Sequence, residues 1–145
     1  PLLVHEDKKQ GVSLENGRFQ LRVRDAADGE RKRKLMIEWY RGRAREIFAA
    51  RLDVCHPRAA RHGIPYPPMK IRMMKKRWGS CSSKGSILLN LRLVQTPKTC
   101  IDYVIFHELA HLKVHYHNKE FYALLDSMLP DWRDRREKLN KIAVA

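Results

Sequence analysis

The chain has 145 residues and a mass of 17.1 kDa, the size of one ordinary domain. Hydrophobic residues make up 43% and charged residues 32%, which excludes a wholly disordered chain, a fibre, a mucin-like stalk and a membrane-spanning protein. Thirty Lys and Arg against sixteen Asp and Glu leave a net charge of +14, a field that attracts polyanions. We expect a single domain over residues 1–145, monomeric, with no membrane partner. Because no secretion leader opens the chain, we also expect it to be cytoplasmic.

The first 62 residues predict a hairpin region (residues 1–29) followed by a basic amphipathic helical region (residues 30–62). Apolar residues alternate on either side of Asn16-Gly17, a dipeptide suited to a tight hairpin turn. Between Leu35 and Leu52, apolar residues recur at three- and four-residue steps, which indicates a helix. Pro57 is expected to kink or end that helix.

The motif-bearing region covers residues 69–145. Strands are predicted at residues 69–75 and 86–94, with the small residues 79–85 as a link between them. If the second strand lies at a sheet edge beside the active cleft, an extended peptide can pair with it through backbone hydrogen bonds.

Three helices are predicted after these strands. Thr96 followed by Pro97 predicts an N-cap and first turn for a strongly apolar core helix. Asn118 is expected to cap a short amphipathic helix, and Pro130 to open a last charged helix that ends near Ile142. Strands and helices in this order predict an α+β fold.

The core helix contains the run His107-Glu108-Leu109-Ala110-His111. Its two histidines lie one turn apart on one face of the helix, where both imidazoles can reach one tetrahedral Zn²⁺. Glu108 is rotated by about 100° from His107, so it can lie beside the metal and take a proton from the water that the metal activates. This geometry is typical of a hydrolase.

A catalytic zinc usually takes three protein ligands, so a third ligand is expected. Three imidazoles in a row along one straight helix cannot converge on one ion, which makes His115 the weaker candidate. His117, just before the Asn118 cap, is better placed to fold back and is favoured. Glu120 is a further alternative, although its charge also suits the first turn of a helix. An oxyanion partner is expected as well, and the sequence leaves four candidates open: Tyr103, Tyr116, Tyr122 and His115.

An ordered set of motifs resembles the YgjP-like metallopeptidase family over about residues 35–139. The motifs are Arg77-Trp78-Gly79-Ser80-Cys81-Ser82, Asn90 with Leu93, Tyr103-Val104-Ile105-Phe106-His107-Glu108-Leu109-Ala110-His111-Leu112, His117 with Phe121, and Leu129-Pro130-Asp131-Trp132. The resemblance implies a minimal, gluzincin-like zincin fold, with a small, mostly antiparallel sheet packed on the core helix. It also implies zinc as the cofactor, polypeptide as the substrate, His107, His111 and His117 as ligands, and Glu108 as the catalytic acid and base.

The chain departs from the family pattern beside the third ligand. It has Tyr116 where Asn is common and Asn118 where Ser is common, so the turn that carries His117 is expected to differ locally.

In the run Trp78-Gly79-Ser80-Cys81, small residues permit close backbone approach, and Trp78 is a candidate wall of the site. The three cysteines are odd in number and lack a C-x-x-C pair, which predicts reduced thiols, with Cys81 inert.

Two alternatives remain beside the peptidase hypothesis. Basic residues crowd residues 31–51 and 70–77, a pattern that suits contact with nucleic acid, as in the SprT-type peptidases that cut proteins on DNA. The other alternative is a zinc site that only stabilises a scaffold. Three ligands and an adjacent glutamate argue against it, because structural zinc sites are generally closed by four protein ligands.

Overall fold

A computed structural model of the chain describes residues 2–6, 11–15, 18–23 and 29–144. The chain divides into two compact units, Pro1–Arg43 and Ala44–Ala145. Among the helices described, none is both long enough and apolar enough to span a bilayer.

The first unit contains a three-stranded sheet. Its strands are β1 (Leu2–Glu6), β2 (Gly11–Glu15) and β3 (Arg18–Val23), in the order β1-β3-β2. β2 and β3 pair antiparallel, which confirms the two predicted strands, and the parallel partner β1 was not predicted. The predicted turn at Asn16-Gly17 lies outside the described residues.

The long helix α1 (Gly29–Ala60) begins in the first unit and continues into the second. Its buried residues recur every three or four positions: Ala44, Phe48, Leu52, Cys55 and Ala59. Pro57 lies inside the helix, so the expectation that it ends the helix is wrong. The hydrogen bond lost at Pro57 is a single one, and burial of Cys55 and Ala59 on either side holds the last turn in place.

The second unit contains a smaller mixed sheet. Its strands are β4 (Met69–Arg72), β5 (Gly79–Cys81) and β6 (Ile87–Asn90), in the order β4-β6-β5. The β4–β6 pair is parallel and the β5–β6 pair antiparallel, where the sequence predicted mostly antiparallel strands. β6 is central, so the condition for peptide pairing with residues 86–94, a place at a sheet edge, is not met.

Asn90 ends β6 and fixes the loop before β5. Its buried side chain accepts a hydrogen bond from the Arg92 backbone N–H at 3.0 Å and donates to the carbonyls of Met74 (2.9 Å) and Arg77 (2.7 Å). The chain therefore turns into a 3₁₀ helix, Leu91–Gln95, rather than continuing as the predicted strand to residue 94.

The remaining elements are helices, as predicted: α2 (Lys98–Lys113), α3 (Lys119–Met128) and α4 (Trp132–Val144). Thr96 does not cap α2, because its hydroxyl donates to the Leu93 carbonyl at 2.8 Å and so closes the 3₁₀ turn. Pro97 is the residue that precedes α2. α4 starts two residues after Pro130, and the predicted cap at Asn118 is confirmed.

The core of the second unit surrounds α2, which is buried along most of its length. β5 and β6 pack against it, as do α3 and α4. The three cysteines are free, with Cys55 and Cys100 buried and Cys81 half-buried, as the sequence predicted. The fold is α+β, and this packing brings β5, the end of α2 and the start of α3 to one place.

Candidate metal centre

Three histidines converge where α2 ends. His107 and His111 lie one turn apart on α2, which stops at Lys113, and His117 lies in the short connection to α3. The Nε2 atom of His117 is 2.8 Å from Nε2 of His111 and 3.3 Å from Nε2 of His107. Among the described residues, these three are the group that could hold a metal ion.

The partners of the other ring nitrogens settle which nitrogens carry lone pairs. Nδ1 of His107 lies 3.2 Å from Oε2 of Glu108, and Nδ1 of His111 lies 3.2 Å from the Val114 carbonyl oxygen. A carboxylate and a carbonyl only accept, so both Nδ1 atoms must donate. In the neutral form of each ring, Nε2 of His107 and Nε2 of His111 therefore carry lone pairs, and both face His117.

This donor set fits a zinc ion. Two nitrogens bound at ~2.0–2.1 Å to one tetrahedral zinc lie about 3.3 Å apart, close to the observed separation of His107 and His117. The Nε2 of His117 can donate a proton to only one of its two neighbours, whereas a cation satisfies all three lone pairs. Partners on Nδ1 of the kind seen at His107 and His111 are typical of metal-bound histidines.

His111 is held neutral near pH 7. Burial, and next the charge of His107, lower the pKa of His111 below its usual value, although Glu108 acts in the opposite direction. A lowered pKa favours the unprotonated ring, which is the form that binds metal.

Phe121 forms the floor under all three rings. It is fully buried, and its ring centroid lies 5.1 Å from that of His107, 4.3 Å from His111 and 5.0 Å from His117. The Phe121 backbone N–H donates to the Asn118 side chain at 3.0 Å, so the cap of α3 also fixes Phe121. One local structure therefore positions the third histidine and the apolar surface beneath the centre.

Glu108 lies beside the histidines and is only 4% exposed. It borders both of the cavities that also contact His107. Gly79 of β5 packs against it, since a Cβ built on Gly79 would lie 3.1 Å from Glu108 Cγ and 2.9 Å from Val104 Cγ1. The sequence predicted this close backbone approach.

The other candidate ligands and the oxyanion candidates differ in where they lie relative to the three histidines. Glu120 is exposed and is not part of the three-histidine group, and His115 borders a cavity at the centre without joining the group. Of the oxyanion candidates, Tyr116 is 79% exposed, whereas Tyr103 and Tyr122 each border a cavity next to a histidine of the centre. Burial raises the pKa of Tyr103 to about 12, so its phenol is a hydrogen-bond donor at neutral pH.

Among the described residues, three openings border the histidines or Glu108. The cavity beside β5 has a volume of about 390 Å³ and includes Arg77, Ser80 and Cys81. The cavity beside α4 has a volume of about 200 Å³ and includes Trp78, which confirms Trp78 as a wall of the site. A groove between α3 and α4 of about 560 Å³ includes His117 and Tyr122.

Cys81 shares a cavity with the three histidines and Glu108. Burial, and then the charge of Glu108, raise the pKa of its thiol. A raised pKa keeps the thiol protonated and weakly nucleophilic near neutral pH, in agreement with its predicted inertness.

Sequence reasoning missed part of the site. β5 was taken for a link, because three small residues carry no periodic signal. Arg136 of α4 borders two of the three openings and was not singled out, since only tertiary packing brings α4 to the centre. Phe121 was named only as a motif residue paired with His117, and its contact with all three imidazole rings was not predicted.

Solved structures of similar fold are metallopeptidase zymogens. Abylysin from Pyrococcus abyssi has a TM-score of 0.57 at 22% identity, and the match covers 63% of this chain and 90% of that one. Jannalysin from Methanocaldococcus jannaschii has a TM-score of 0.47 at 21% identity, over 70% of this chain and 94% of that one. A search of curated proteins found no match.

The family comparison covers almost the whole chain. The sequence model described as YgjP-like, metallopeptidase domain, matches residues 1–142. The three-histidine group and the fold shared with abylysin agree with that match. The chain therefore belongs to the YgjP-like metallopeptidase family and is a hydrolase of the metallopeptidase class.

Proposed function

We propose that the protein hydrolyses peptide bonds in polypeptide substrates with a zinc ion held by His107, His111 and His117 and with Glu108 as general base. The observation that carries the proposal is the convergence of the three Nε2 atoms, at least two of them lone-pair nitrogens, beside a buried carboxylate. When bound, zinc supplies the Lewis acidity that activates a water and polarises the scissile carbonyl.

The residues of the chain perform the proton transfers. Glu108 takes a proton from the attacking water at a carboxylate oxygen and delivers it to the leaving amine nitrogen. The close packing of Gly79 limits how much solvent reaches that carboxylate, which is only 4% exposed. Residues 69–145 carry all of this machinery, and we assign catalysis to that region.

The edge strand β5 is a support for an extended substrate. β5 borders the cavity that contains the three histidines, and β6 pairs with its other side. A peptide lying along β5 would place its carbonyls beside the centre, in a mode that selects polypeptides over small molecules.

The test is the Glu108→Gln variant, compared with the parent for zinc content and for cleavage of an unfolded protein. We expect one zinc per chain in both proteins and a loss of turnover of about 10²–10⁴-fold in the variant, because only the general base is removed. Glu120→Gln is the matched control, since it makes the same charge change at an exposed position in α3. Unchanged turnover in Glu108→Gln would refute the proposed role.

Nucleic-acid contact is a second proposal, favoured by the net charge of +14 and by the exposed residues Arg33 and Lys34 near the start of α1. It is tested by DNA binding at increasing salt, with charge reversal over residues 31–34. Affinity that falls steeply with salt and is lost on charge reversal supports it, and no binding at low salt contradicts it.

A further inference from the structure

Arg136 of α4 lies beside two of the openings next to the three-histidine group. It borders both the 200 Å³ cavity that contains Glu108 and the 560 Å³ groove that contains His117. Tyr103 lies within its electrostatic reach, because the charge of Arg136 lowers the pKa of that phenol against the stronger effect of burial. The side chain thus lies between two openings that both lead to the metal-binding histidines.

Stacked rings hold the Arg136 guanidinium in position. Its central carbon lies 4.9 Å from the ring centroid of Trp132, which is itself only 3% exposed. Trp132 stacks on Tyr122 with centroids 5.4 Å apart, and Tyr122 stacks on His117 at 6.3 Å. A guanidinium that stacks on an aromatic face keeps its N–H groups directed outward, available to a ligand.

Within the described part of the chain, the positive charge of Arg136 has no acidic partner. Asp126, the carboxylate of the groove, accepts hydrogen bonds from Trp132 Nε1 at 2.6 Å and from Arg133 at 3.1 Å. Among the side chains that the structure describes, no carboxylate lies within ion-pair distance of Arg136. Arg135, by contrast, pairs with Asp131 at 3.0 Å.

We propose that Arg136 binds a carboxylate of the substrate peptide and thereby sets which peptides are cleaved. The proposal rests on the peptidase function proposed above and adds a specificity determinant to it. The planar guanidinium matches a carboxylate through two parallel hydrogen bonds. Both an acidic side chain near the scissile bond and the carboxyl terminus of a short peptide present this group.

The first experiment compares versions of one peptide that spans a cut mapped in an unfolded protein. One version has a free carboxyl terminus and no acidic residue, a second is amidated and carries Glu at successive positions, and a third is amidated with Gln in place of Glu. We expect kcat/KM to be about 10- to 100-fold higher for one carboxylate version than for the neutral version. The favoured version identifies whether the side chain or the terminus is recognised.

The variants for this comparison are Arg136→Gln and, as a control, Lys141→Gln. Arg136→Gln should abolish the preference, so that this variant cleaves the carboxylate version and the neutral version with equal kcat/KM. Lys141→Gln removes the same charge from a side chain that is 78% exposed on the same helix, and it should keep the preference. A preference that survives in Arg136→Gln, or no preference in the parent, would overturn the proposal.

Binding provides a readout that does not require turnover. In the Glu108→Gln background, fluorescence anisotropy on the same three peptides should show tighter binding of one carboxylate version than of the neutral version, and the difference should vanish on adding Arg136→Gln. If the parent cleaves no peptide, the peptidase proposal fails while this binding comparison still decides the role of Arg136. Equal affinity for the two peptides would refute it.

Discussion

Gly79 packs closely against Glu108 and Val104 of α2. A methyl group at position 79 would meet Val104 at 2.9 Å and Glu108 at 3.1 Å. Val104 belongs to the buried face of α2, so it has little room to move. Glycine at this position therefore allows β5 to lie directly against the helix that carries the proposed general base.

We predict that Gly79→Ala lowers the free energy of unfolding by about 1–3 kcal/mol, because the added methyl overpacks a close contact. It should also reduce turnover, since relief of the clash displaces Glu108. Urea unfolding and peptide cleavage measure the two effects. Gly42→Ala is the control: it has no atom within 4 Å of the added methyl and should stabilise α1 by about 0.5–1 kcal/mol. A Gly79→Ala protein as stable and active as the parent would contradict this account.

At this scale, local spacing predicted the histidine pair on α2 and the place of Glu108 beside it. The spacing could not show which ring nitrogen of His111 carries a lone pair. That depends on the Val114 carbonyl, which lies beyond the end of α2 and contacts Nδ1 of His111. Arg136 carries no local signal at all. Its position follows from the packing of α4 on α2, which a single sequence does not encode as a pattern.

The start of α3 is the element that decides the position of His117. α2 ends at Lys113, and the chain turns through four residues before Asn118 caps α3. The Asn118 side chain satisfies the N–H of Phe121, and the ring of Phe121 then supports the three imidazoles. The proposed third ligand, His117, is thus positioned by a helix cap adjacent to it in sequence.

We predict that Asn118→Ala lowers the free energy of unfolding by about 1 kcal/mol, the usual cost of losing an N-cap. It should also weaken zinc affinity several-fold, because both His117 and the Phe121 floor become less ordered. Asn118→Ser, which retains a capping oxygen, should restore both properties. Urea unfolding and competition with a zinc chelator are the measurements, and a loss of stability with no change in zinc affinity would count against the coupling.

Helices and strands were predicted correctly where local sequence signals determine them, and incorrectly where contacts between distant parts of the chain determine them. The Asn118 cap and the apolar period of α2 were sufficient to place two helices. Residues 91–94 alternate as a strand would, yet the Asn90 side chain captures the Arg92 N–H and turns the chain into a 3₁₀ helix. The central place of β6 could not be predicted either, because its parallel partner β4 is separated from it in sequence by β5 and leaves no local signal.

At the scale of the whole molecule, α1 is joined to α2 by an ion pair within the second unit. Arg51 donates to both carboxylate oxygens of Asp102, at 2.8 and 2.6 Å, and Asp102 is buried. Because Arg51 pairs with Asp102, it is a weaker candidate for the nucleic-acid contact that the sequence suggested for the basic residues within 31–51. Next to the pair, burial and then Asp102 raise the pKa of Cys55 from its ordinary value of 9.0 to about 12.

The Cys55 thiol makes stability fall at alkaline pH. In the unfolded chain the thiol ionises above pH 9, whereas in the folded chain it stays neutral until about pH 12, so a rise in pH over this window favours unfolding. When the pH rises from 8 to 10, the free energy of unfolding should fall in both proteins, and the fall should be about 1 kcal/mol smaller in Cys55→Ala than in the parent. Urea unfolding at both pH values, with reductant present, measures the difference. Equal losses in the two proteins would contradict the buried neutral thiol.

The central claim is that three imidazoles from α2 and the start of α3 hold one zinc ion, and calorimetric titration of metal-free protein with zinc tests it most directly. The account predicts one tight site per chain near neutral pH, with affinity that falls as the pH drops through the range where the histidines protonate. It also predicts that His111→Ala or His117→Ala weakens binding by orders of magnitude. A parent that binds no zinc, or variants that bind it as tightly as the parent, would contradict the account.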